Sequence, residues 1–182
     1  MRYYNAMVDV DNTLFDFATP LYEMFIKNNI NLPPPHYWNK WDYFYPEYMT
    51  KEIACEYFDM VHSHQLEYKP FDDARIFLEN LIKDRAVVIV SHRELNRCKE
   101  LRKWLNINDL PYDMVECSND KTKMFNRAIF DVVIDDCPST LTAAYNAGID
   151  CYGLERPWNR DCERGILLPT LTDIGKMGGW MK

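Results

Sequence analysis

The 182-residue chain has six cysteines but no CxxC pair, which excludes a zinc knuckle and a thioredoxin-like motif. It also lacks any stretch rich in Lys or Arg, and its formal net charge is −7. A long nucleic acid is therefore not expected as a partner, because polynucleotide binding needs a positive surface. The longest aliphatic run, residues 87–90, is too short to span a membrane, and no apolar signal segment opens the chain. These absences predict a cytoplasmic protein whose cysteines serve as scattered small hydrophobes.

What the chain does contain is a regular alternation of strand-like and helical patterns. Strands are predicted at residues 6–10, 86–90, 112–117, 132–134 and 151–154, the last of the chain. Helices are predicted after Thr19, after Thr50, and at residues 72–83, 94–105, 121–129 and 138–148. Strands that alternate with helices favour an α/β fold, a Rossmann-like doubly wound parallel sheet with helices on both faces.

One aromatic segment interrupts this alternation. Residues 17–68 fall between the first strand and its crossover helix, and they contain Trp38, Trp41, Tyr43 and Phe44. We interpret this segment as a small helical cap, with residues 1–16 and 69–182 forming the core domain. Most of its aromatic side chains must fill the interior of so small an insertion, and one or two are expected to face a cleft.

Polar residues follow several of the predicted strands. The first strand ends in Asp9-Val10-Asp11-Asn12-Thr13, the second in Ser91-His92-Arg93, and the fourth in Asp135-Asp136, while Lys121 precedes a helix. Ligands of open parallel sheets bind beyond the carboxyl ends of the strands, so these side chains are expected to meet at one edge. Carboxylates, a hydroxyl and an ammonium group together suit a phosphate ester held by a hard cation. A calcium loop is excluded, because Leu14 and Pro20 replace its Gly and Glu.

The chain resembles the haloacid dehalogenase-like phosphatase superfamily. Its residues match the four superfamily motifs in order: Asp9 to Thr13, Ser91, Lys121 and Asp135-Asp136. Local matches at residues 8–17, 120–122 and 133–136 are most similar to the 5'(3')-deoxyribonucleotidase family. It departs from that family at Ser118-Asn119, since members often carry a basic residue shortly before the matched lysine, and in its longer separation between Lys121 and Asp135. These departures bear on the substrate more than on the reaction.

The resemblance implies a role for each matched residue. Asp9 would attack phosphorus, and Asp11 would protonate the leaving group and then activate water. Mg²⁺ would be held by Asp9, Asp136 and the Asp11 carbonyl. Asp135 would be either a further ligand or a hydrogen-bond partner of the ligands. The implied phosphate contacts are Ser91 and Lys121, and Phe17 would pack on a nucleobase. His92 follows Ser91 and is a further candidate for the phosphate, with a loop residue that packs locally as the alternative. Trp38, Trp41 and Tyr43 of the cap are further candidates for contact with the substrate.

Several alternatives stay open at this point. Lys123 could replace Lys121, although Lys121 is favoured. His62 and His64 are interpreted as ordinary residues, and Arg156 and Arg160 as a surface pair.

The expected activity is hydrolysis of (deoxy)ribonucleoside monophosphates, a small-molecule phosphate ester. The rivals are a polynucleotide 3'-phosphatase, suggested by Ser91-His92-Arg93-Glu94, another small-molecule phosphatase, and a regulatory nucleotide-binding protein without turnover. Only the departure of an alkoxide needs Asp11 as an acid, which favours a phosphatase over a dehalogenase. The oligomeric state is left open.

Overall fold

A parallel sheet forms the centre of the molecule. The computed structural model describes residues 5–93, 95–125 and 130–182. Within these residues the strands are β1 (Asn5–Val8), β2 (Ala86–Ser91), β3 (Met114–Cys117), β4 (Val132–Ile134), β5 (Asp150–Leu154) and β6 (Ile166–Leu168). They lie side by side in the order β3-β2-β1-β4-β5-β6, and all neighbouring strands are parallel. The predicted Rossmann-like α/β fold is confirmed.

Helices cover both faces of this sheet. They are α1 (Ala18–Lys27), α2 (Lys51–Ser63), α3 (Ala74–Asp84), α4 (Cys98–Ile107), α5 (Thr122–Phe125), α6 (Pro138–Asn146) and α7 (Leu171–Met177). Helices α1 and α2 lie between β1 and the crossover helix α3, in the segment for which a cap is predicted. The Thr50 hydroxyl caps α2 by accepting the Ile53 N–H at 3.4 Å. No helix of the described residues is both long enough and apolar enough to cross a bilayer.

Alternate residues of the central strands pack into two separate hydrophobic clusters, one on each face of the sheet. Ala6 and Val8 of β1 pack into one buried cluster, whereas Met7, between them, packs into the other. The same division holds in β4, where Val133 faces the second cluster. Successive side chains of a strand point to opposite faces, so a sheet covered on both sides needs an unbroken apolar run.

The end of the chain differs from the sequence expectation. The strand at residues 151–154 is not the last, because β6 and α7 follow it. β6 is only three residues long, lies at the sheet edge and is only partly buried, so it carries too little hydrophobic pattern to be recognised. Helix α4 begins later than predicted, since residues 95–97 form a 3₁₀ turn. Residue 94 and residues 126–129, at the ends of two predicted helices, lie outside the described residues.

The cysteines are not all isolated. Cys98, the first residue of α4, forms a disulfide with Cys117, the last residue of β3. The expectation of scattered thiols is wrong for this pair, because packing of α4 against β3 brings their Cα atoms to 5.9 Å despite 19 residues of separation. Of the thiols left free in the described residues, Cys151 is buried and Cys55 is exposed.

Candidate active site

A tight loop after β1 separates two aspartates. The Asp9 N–H donates to the Ile134 carbonyl at 2.9 Å, so Asp9 extends the pairing of β1 with β4. The chain then turns, and the Leu14 N–H donates back to the Val10 carbonyl at 2.8 Å. Asn12 adopts a left-handed conformation at φ 59°, which Asn tolerates better than most residues. Its Oδ1 accepts the N–H groups of Phe17 and Ala18 at 3.1 and 2.9 Å, which fixes the start of α1.

Three buried carboxylates meet where β1 and β4 end. One oxygen from each of Asp9, Asp135 and Asp136 lies within 4.8 Å of the other two. The Lys121 ammonium donates to Asp9 Oδ1 and, at 2.9 Å, to Asp135 Oδ2. The Cys137 N–H donates to the other oxygen of Asp135 at 2.8 Å. Adjacent strands of the sheet therefore bring together residues more than a hundred positions apart in sequence.

The cluster carries more negative charge than its surroundings neutralise. Burial, opposed by Lys121 and reinforced by Asp135, raises the pKa of Asp9 to about 7. Burial and the charges of Asp9 and Asp135 hold the pKa of Asp136 well above its usual range. Burial would lower the pKa of Lys121, but Asp135 and Asp9 outweigh it, so this pKa lies above its ordinary value. A second cation at the cluster would relieve the repulsion.

The donor set fits a hard divalent cation. Its ligand atoms are all carboxylate oxygens, which Mg²⁺ prefers, and no soft sulfur or imidazole belongs to the cluster among the described residues. Asp9, Asp136 and Asp135 are the residues that would hold such an ion. The Asp11 side chain lies outside this cluster.

Asp11 is surrounded by hydrogen-bond donors instead. Its Oδ1 accepts from Arg93 Nη2 at 2.8 Å. Its Oδ2 lies 3.0 Å from His62 Nε2 and accepts the Ser91 hydroxyl at 3.2 Å. Burial would raise the pKa of Asp11, but Arg93 and His62 outweigh it and lower this pKa below its ordinary value. The side chain is 17% exposed, so it still reaches the cavity described below.

His62 and Arg93 are the residues that the sequence interpretation missed. The expectation that His62 is an ordinary residue is wrong, because α2 carries it, 5% exposed, to Asp11. Arg93 is equally buried; its Nε donates to the Ser91 hydroxyl at 2.7 Å and its Nη1 to Gln65 at 3.2 Å. The sequence interpretation named Arg93 among the polar residues after the second strand but gave it no role. Its position after a strand could have marked it, whereas His62 carried no local signal.

Of the two candidate lysines, Lys121 is the one at the carboxylate cluster. Lys123 is exposed and pairs with Asp120 at 3.2 Å. His92 is exposed and lines the cavity, where partial burial and the charge of Lys121 lower its pKa. The Ser91 hydroxyl is fully buried and bonded to Asp11 and Arg93.

A cavity of about 470 Å³ joins this chemistry to the aromatic segment. Its wall includes Asp9, Asp11 and Lys121 at one side, together with the predicted substrate residues Phe17, Trp38, Trp41 and Tyr43. These four differ in how much of the ring is free. Trp41 is 47% exposed and Tyr43 is half-buried, whereas Phe17 and Trp38 are 8% and 3% exposed. The Trp38 N–H donates to the Pro33 carbonyl at 2.8 Å, which marks it as part of the interior of the segment.

Two arginines of the loop after β5 have different surroundings. Arg156 donates from Nε and Nη2 to the Asn12 carbonyl at 3.2 and 2.8 Å, and its guanidinium lies 5.1 Å from the Phe71 ring centre. The expectation of a surface pair is therefore wrong for Arg156, which secures the loop after β1. It holds for Arg160, which is exposed and pairs with Glu155 at 3.0 Å.

Comparison with solved structures places this geometry in a known fold. A haloacid dehalogenase-like family hydrolase from Streptococcus pneumoniae matches with a TM-score of 0.70 at 14% identity, over 98% of this chain and 100% of that one. A magnesium-bound HAD hydrolase from Bacillus subtilis matches at 0.62 and 18% identity, over 97% and 99%. A predicted phosphoglycolate phosphatase from Haemophilus somnus matches at 0.63 and 15% identity, over 98% and 99%. The chain has the haloacid dehalogenase-like hydrolase fold.

The fold alone does not decide the chemistry. Haloacid dehalogenases are also among the structural neighbours of the chain. Neither the protein-family models nor the curated proteins compared by sequence give a match. Within the haloacid dehalogenase-like fold, the reaction must therefore be argued from the side chains of the site.

Proposed function

We propose that the chain is a Mg²⁺-dependent phosphomonoesterase that hydrolyses nucleoside monophosphates through an aspartyl-phosphate. The observation that carries this proposal is the contrast between Asp9 and Asp11. They lie two residues apart, yet one belongs to the carboxylate cluster beside Lys121 and the other is held under Arg93 and His62. Asp9, beside Lys121 and among the other carboxylates, is placed as a nucleophile, and Asp11, bonded to His62 at the cavity wall, is placed to relay protons.

Each residue then has a defined task. The Asp9 carboxylate attacks phosphorus, and the bond from phosphorus to the leaving oxygen breaks. Asp11 relays a proton to that oxygen from His62, whose Nε2 lies 3.0 Å from its Oδ2, and the proton is later replaced by one from the water that cleaves the acyl phosphate. Lys121 and His92 line the cavity and are placed to donate to the phosphoryl oxygens, whereas the buried Ser91 hydroxyl is bonded to Asp11 and Arg93. Mg²⁺ at Asp9, Asp136 and Asp135 would supply positive charge against the same oxygens.

The Asp11 environment also favours a phosphatase over a dehalogenase. A halide leaves without a proton, so a dehalogenase has no use for a second carboxylate that faces the substrate. Here Asp11 reaches the cavity and is bonded to three side chains. Neighbours bound to magnesium, or to phosphate and sodium, lend further support.

The cavity supports a nucleotide as substrate. Its volume of about 470 Å³ lies within the range usual for small-molecule sites, about 300–1,000 Å³. Trp41 offers an exposed ring on the wall beyond the carboxylates, and a flat base stacks well on such a ring. The net charge of −7 disfavours a long polynucleotide but not a small ester that is bound with a metal ion.

Phosphate release from a substrate panel tests this proposal. The panel holds 5'- and 3'-nucleoside monophosphates, sugar phosphates, para-nitrophenyl phosphate, a 3'-phosphorylated oligonucleotide and a 2-haloacid, each with Mg²⁺ or with EDTA. We expect the highest kcat/KM for a nucleoside monophosphate with Mg²⁺, and no phosphate release from any substrate in EDTA. Preference for the oligonucleotide would indicate a polynucleotide 3'-phosphatase. Halide release would indicate a dehalogenase, and binding of a nucleotide without turnover would indicate a regulatory protein.

A further inference from the structure

The loop after β5 forms hydrogen bonds to both the side chain and the backbone of Asp136, a candidate metal ligand. The Trp158 indole N–H donates to Asp136 Oδ2 at 3.0 Å. The Asn159 side-chain amide donates to the Asp136 backbone carbonyl at 3.0 Å and to the Leu154 carbonyl at 2.9 Å. Asn159 is 1% exposed, and its Oδ1 accepts the Arg156 N–H at 2.8 Å. Backbone and side chain of Asp136 are thus both held from one short loop.

The Trp158 contact restricts the direction of the carboxylate. A carboxylate has about four acceptor positions, whereas an indole offers one N–H donor and no acceptor. Trp158 therefore occupies one position on Oδ2 and leaves the other acceptor positions of the carboxylate available to a cation. The indole cannot compete with the carboxylates for a cation, because it has no lone pair to give.

The Trp158 ring is itself well supported. Its centre lies 6.5 Å from that of Trp38, and the two planes meet at 36°. Trp38 is buried and is fixed through its own N–H to the Pro33 carbonyl at 2.8 Å. The donor to Asp136, which belongs to the loop after β5, is consequently supported from the aromatic segment. Such support is what a group needs in order to orient a metal ligand.

We propose that Trp158 is a positioning residue that orients the Asp136 carboxylate for a divalent cation through its indole N–H. The proposal rests on the metal site of the proposed function but not on the identity of the substrate. Hydrogen bonds that orient metal ligands typically contribute about 10- to 100-fold in metal affinity. Without the indole donor, Asp136 would have to be reoriented whenever it binds the ion, at a cost in affinity.

Trp158→Phe removes the donor and keeps an aromatic ring, and Trp180→Phe is the matched control. Trp180 packs on Phe77 and Tyr152 and lies under the Arg85 guanidinium, so it belongs to no part of the site. Calorimetric titration with Mg²⁺ alone, without substrate, should show about 10-fold weaker binding for Trp158→Phe. The wild type and Trp180→Phe should bind equally, and all three should unfold at similar temperatures in EDTA. Equal affinity of Trp158→Phe and the wild type would overturn the proposal.

The failure of this inference is distinguishable from failure of the proposed function. A wild type that binds no Mg²⁺ contradicts both. A wild type that binds Mg²⁺ and releases phosphate, beside a Trp158→Phe variant of unchanged affinity, contradicts only the role of Trp158. In activity assays the Mg²⁺ concentration for half-maximal rate should rise about 10-fold, with a smaller change of kcat at saturating Mg²⁺.

A spectroscopic measurement on the wild type keeps the proposal testable if Trp158→Phe does not fold. The chain has five tryptophans, so a ¹⁵N-tryptophan sample gives five indole signals. One of them should shift on addition of Mg²⁺ and broaden first when Mn²⁺ is used instead, because its N–H is bonded to a ligand of the ion. If no indole signal responds to either ion, Trp158 does not orient the metal ligand.

Discussion

Asp9 and Asp11 show how strongly position decides the chemistry of one residue type. Asp9 follows β1 directly and is enclosed with the acidic ends of β4, which raises its pKa to about 7. Asp11 lies beyond the point where the strand ends, where Arg93 and His62 outweigh burial and lower its pKa. The environment thus shifts the free energy of ionisation in opposite directions at the two sites, although the residues are identical.

His62 provides the sharpest test of the Asp11 environment. Replacement by Gln removes the imidazole that lies 3.0 Å from Asp11, so proton transfer through Asp11 should be impaired. We expect kcat to fall about 10- to 100-fold in steady-state phosphate release, a part of what general acid catalysis contributes. His64→Gln is the control, since His64 is exposed and pairs only with Glu67 at 2.8 Å among its described contacts. Equal effects of the two changes would contradict this role for His62.

The exposed ring of Trp41 is the better candidate for stacking on a base. Trp41→Ala should raise KM for a nucleoside monophosphate about 10-fold, since stacking contributes about 1–3 kcal/mol per base. Hydrolysis of para-nitrophenyl phosphate, which carries no base, should change far less. Phe17 was the first choice from the sequence, but Phe15, Phe58 and His62 enclose its ring. Phe17→Ala should therefore affect both substrates through packing. A Trp41→Ala variant with unchanged KM would exclude stacking on this ring.

At the scale of elements, α2 links the aromatic segment to the sheet. It carries His62 to Asp11, and its Asp59 accepts two hydrogen bonds from Arg97, from Nε at 2.7 Å and Nη2 at 2.5 Å. Arg97 ends the 3₁₀ turn before α4, so this ion pair joins α2 to the loop after β2. The side chains are 25% and 44% exposed, which limits the strength of the pair.

Breaking the Asp59–Arg97 pair should weaken the packing of α2 against the loop after β2. Asp59→Asn should raise KM for the nucleotide up to about fivefold, the equivalent of about 1 kcal/mol, with little effect on the unfolding temperature. The charge-reversed double variant Asp59→Arg with Arg97→Asp should recover part of the loss. Glu79→Gln breaks the exposed Arg75–Glu79 pair of α3 and serves as control. A nucleotide KM that is the same in all variants would show that the pair does not seat α2.

The elements also show which parts of the structure were open to sequence analysis. The strands at residues 86–90 and 132–134 were found because an apolar run bounded by polar residues is a local signal, and the acidic residues at their ends followed from sheet geometry. β6 was missed because three edge residues, one exposed and two half-buried, give no such signal. The contacts of His62 and Trp158 depend on the packing of α2 and of the loop after β5. Residues 51 positions apart must meet for the His62 contact, and no local pattern encodes this.

At the scale of the whole molecule, the fold collects acidic groups at one edge of a sheet. Adjacent strands deliver Asp9, Asp135 and Asp136 to within 4.8 Å, and the interior holds them out of water. This arrangement opposes folding unless protons or a cation balance the charge. The site is therefore expected to make the stability of the protein depend on both pH and Mg²⁺.

The raised pKa values give this dependence a definite sign. Asp9 has a folded-state pKa of about 7 against an ordinary value of 3.8, so without metal its contribution favours the folded state at low pH. That contribution is lost as pH rises from about 4 through about 7. Mg²⁺ needs the ionised carboxylates, so it should raise the unfolding temperature more at about pH 8 than at about pH 5. Thermal unfolding with Mg²⁺ or EDTA measures this, with Asp136→Asn as the control that should lose the response. An equal Mg²⁺ effect at both pH values would contradict it.

The central claim is that Asp9 becomes phosphorylated during turnover. Acid quenching during turnover of a nucleoside monophosphate, followed by borohydride reduction, converts an aspartyl-phosphate to homoserine, which mass spectrometry of the peptides locates. We predict this conversion at position 9 alone, only with Mg²⁺ and substrate present, and its absence from Asp9→Asn, whose kcat should fall at least about a thousandfold. Turnover without modification of Asp9, or an Asp9→Asn variant that keeps about a tenth of the wild-type rate, would contradict the account.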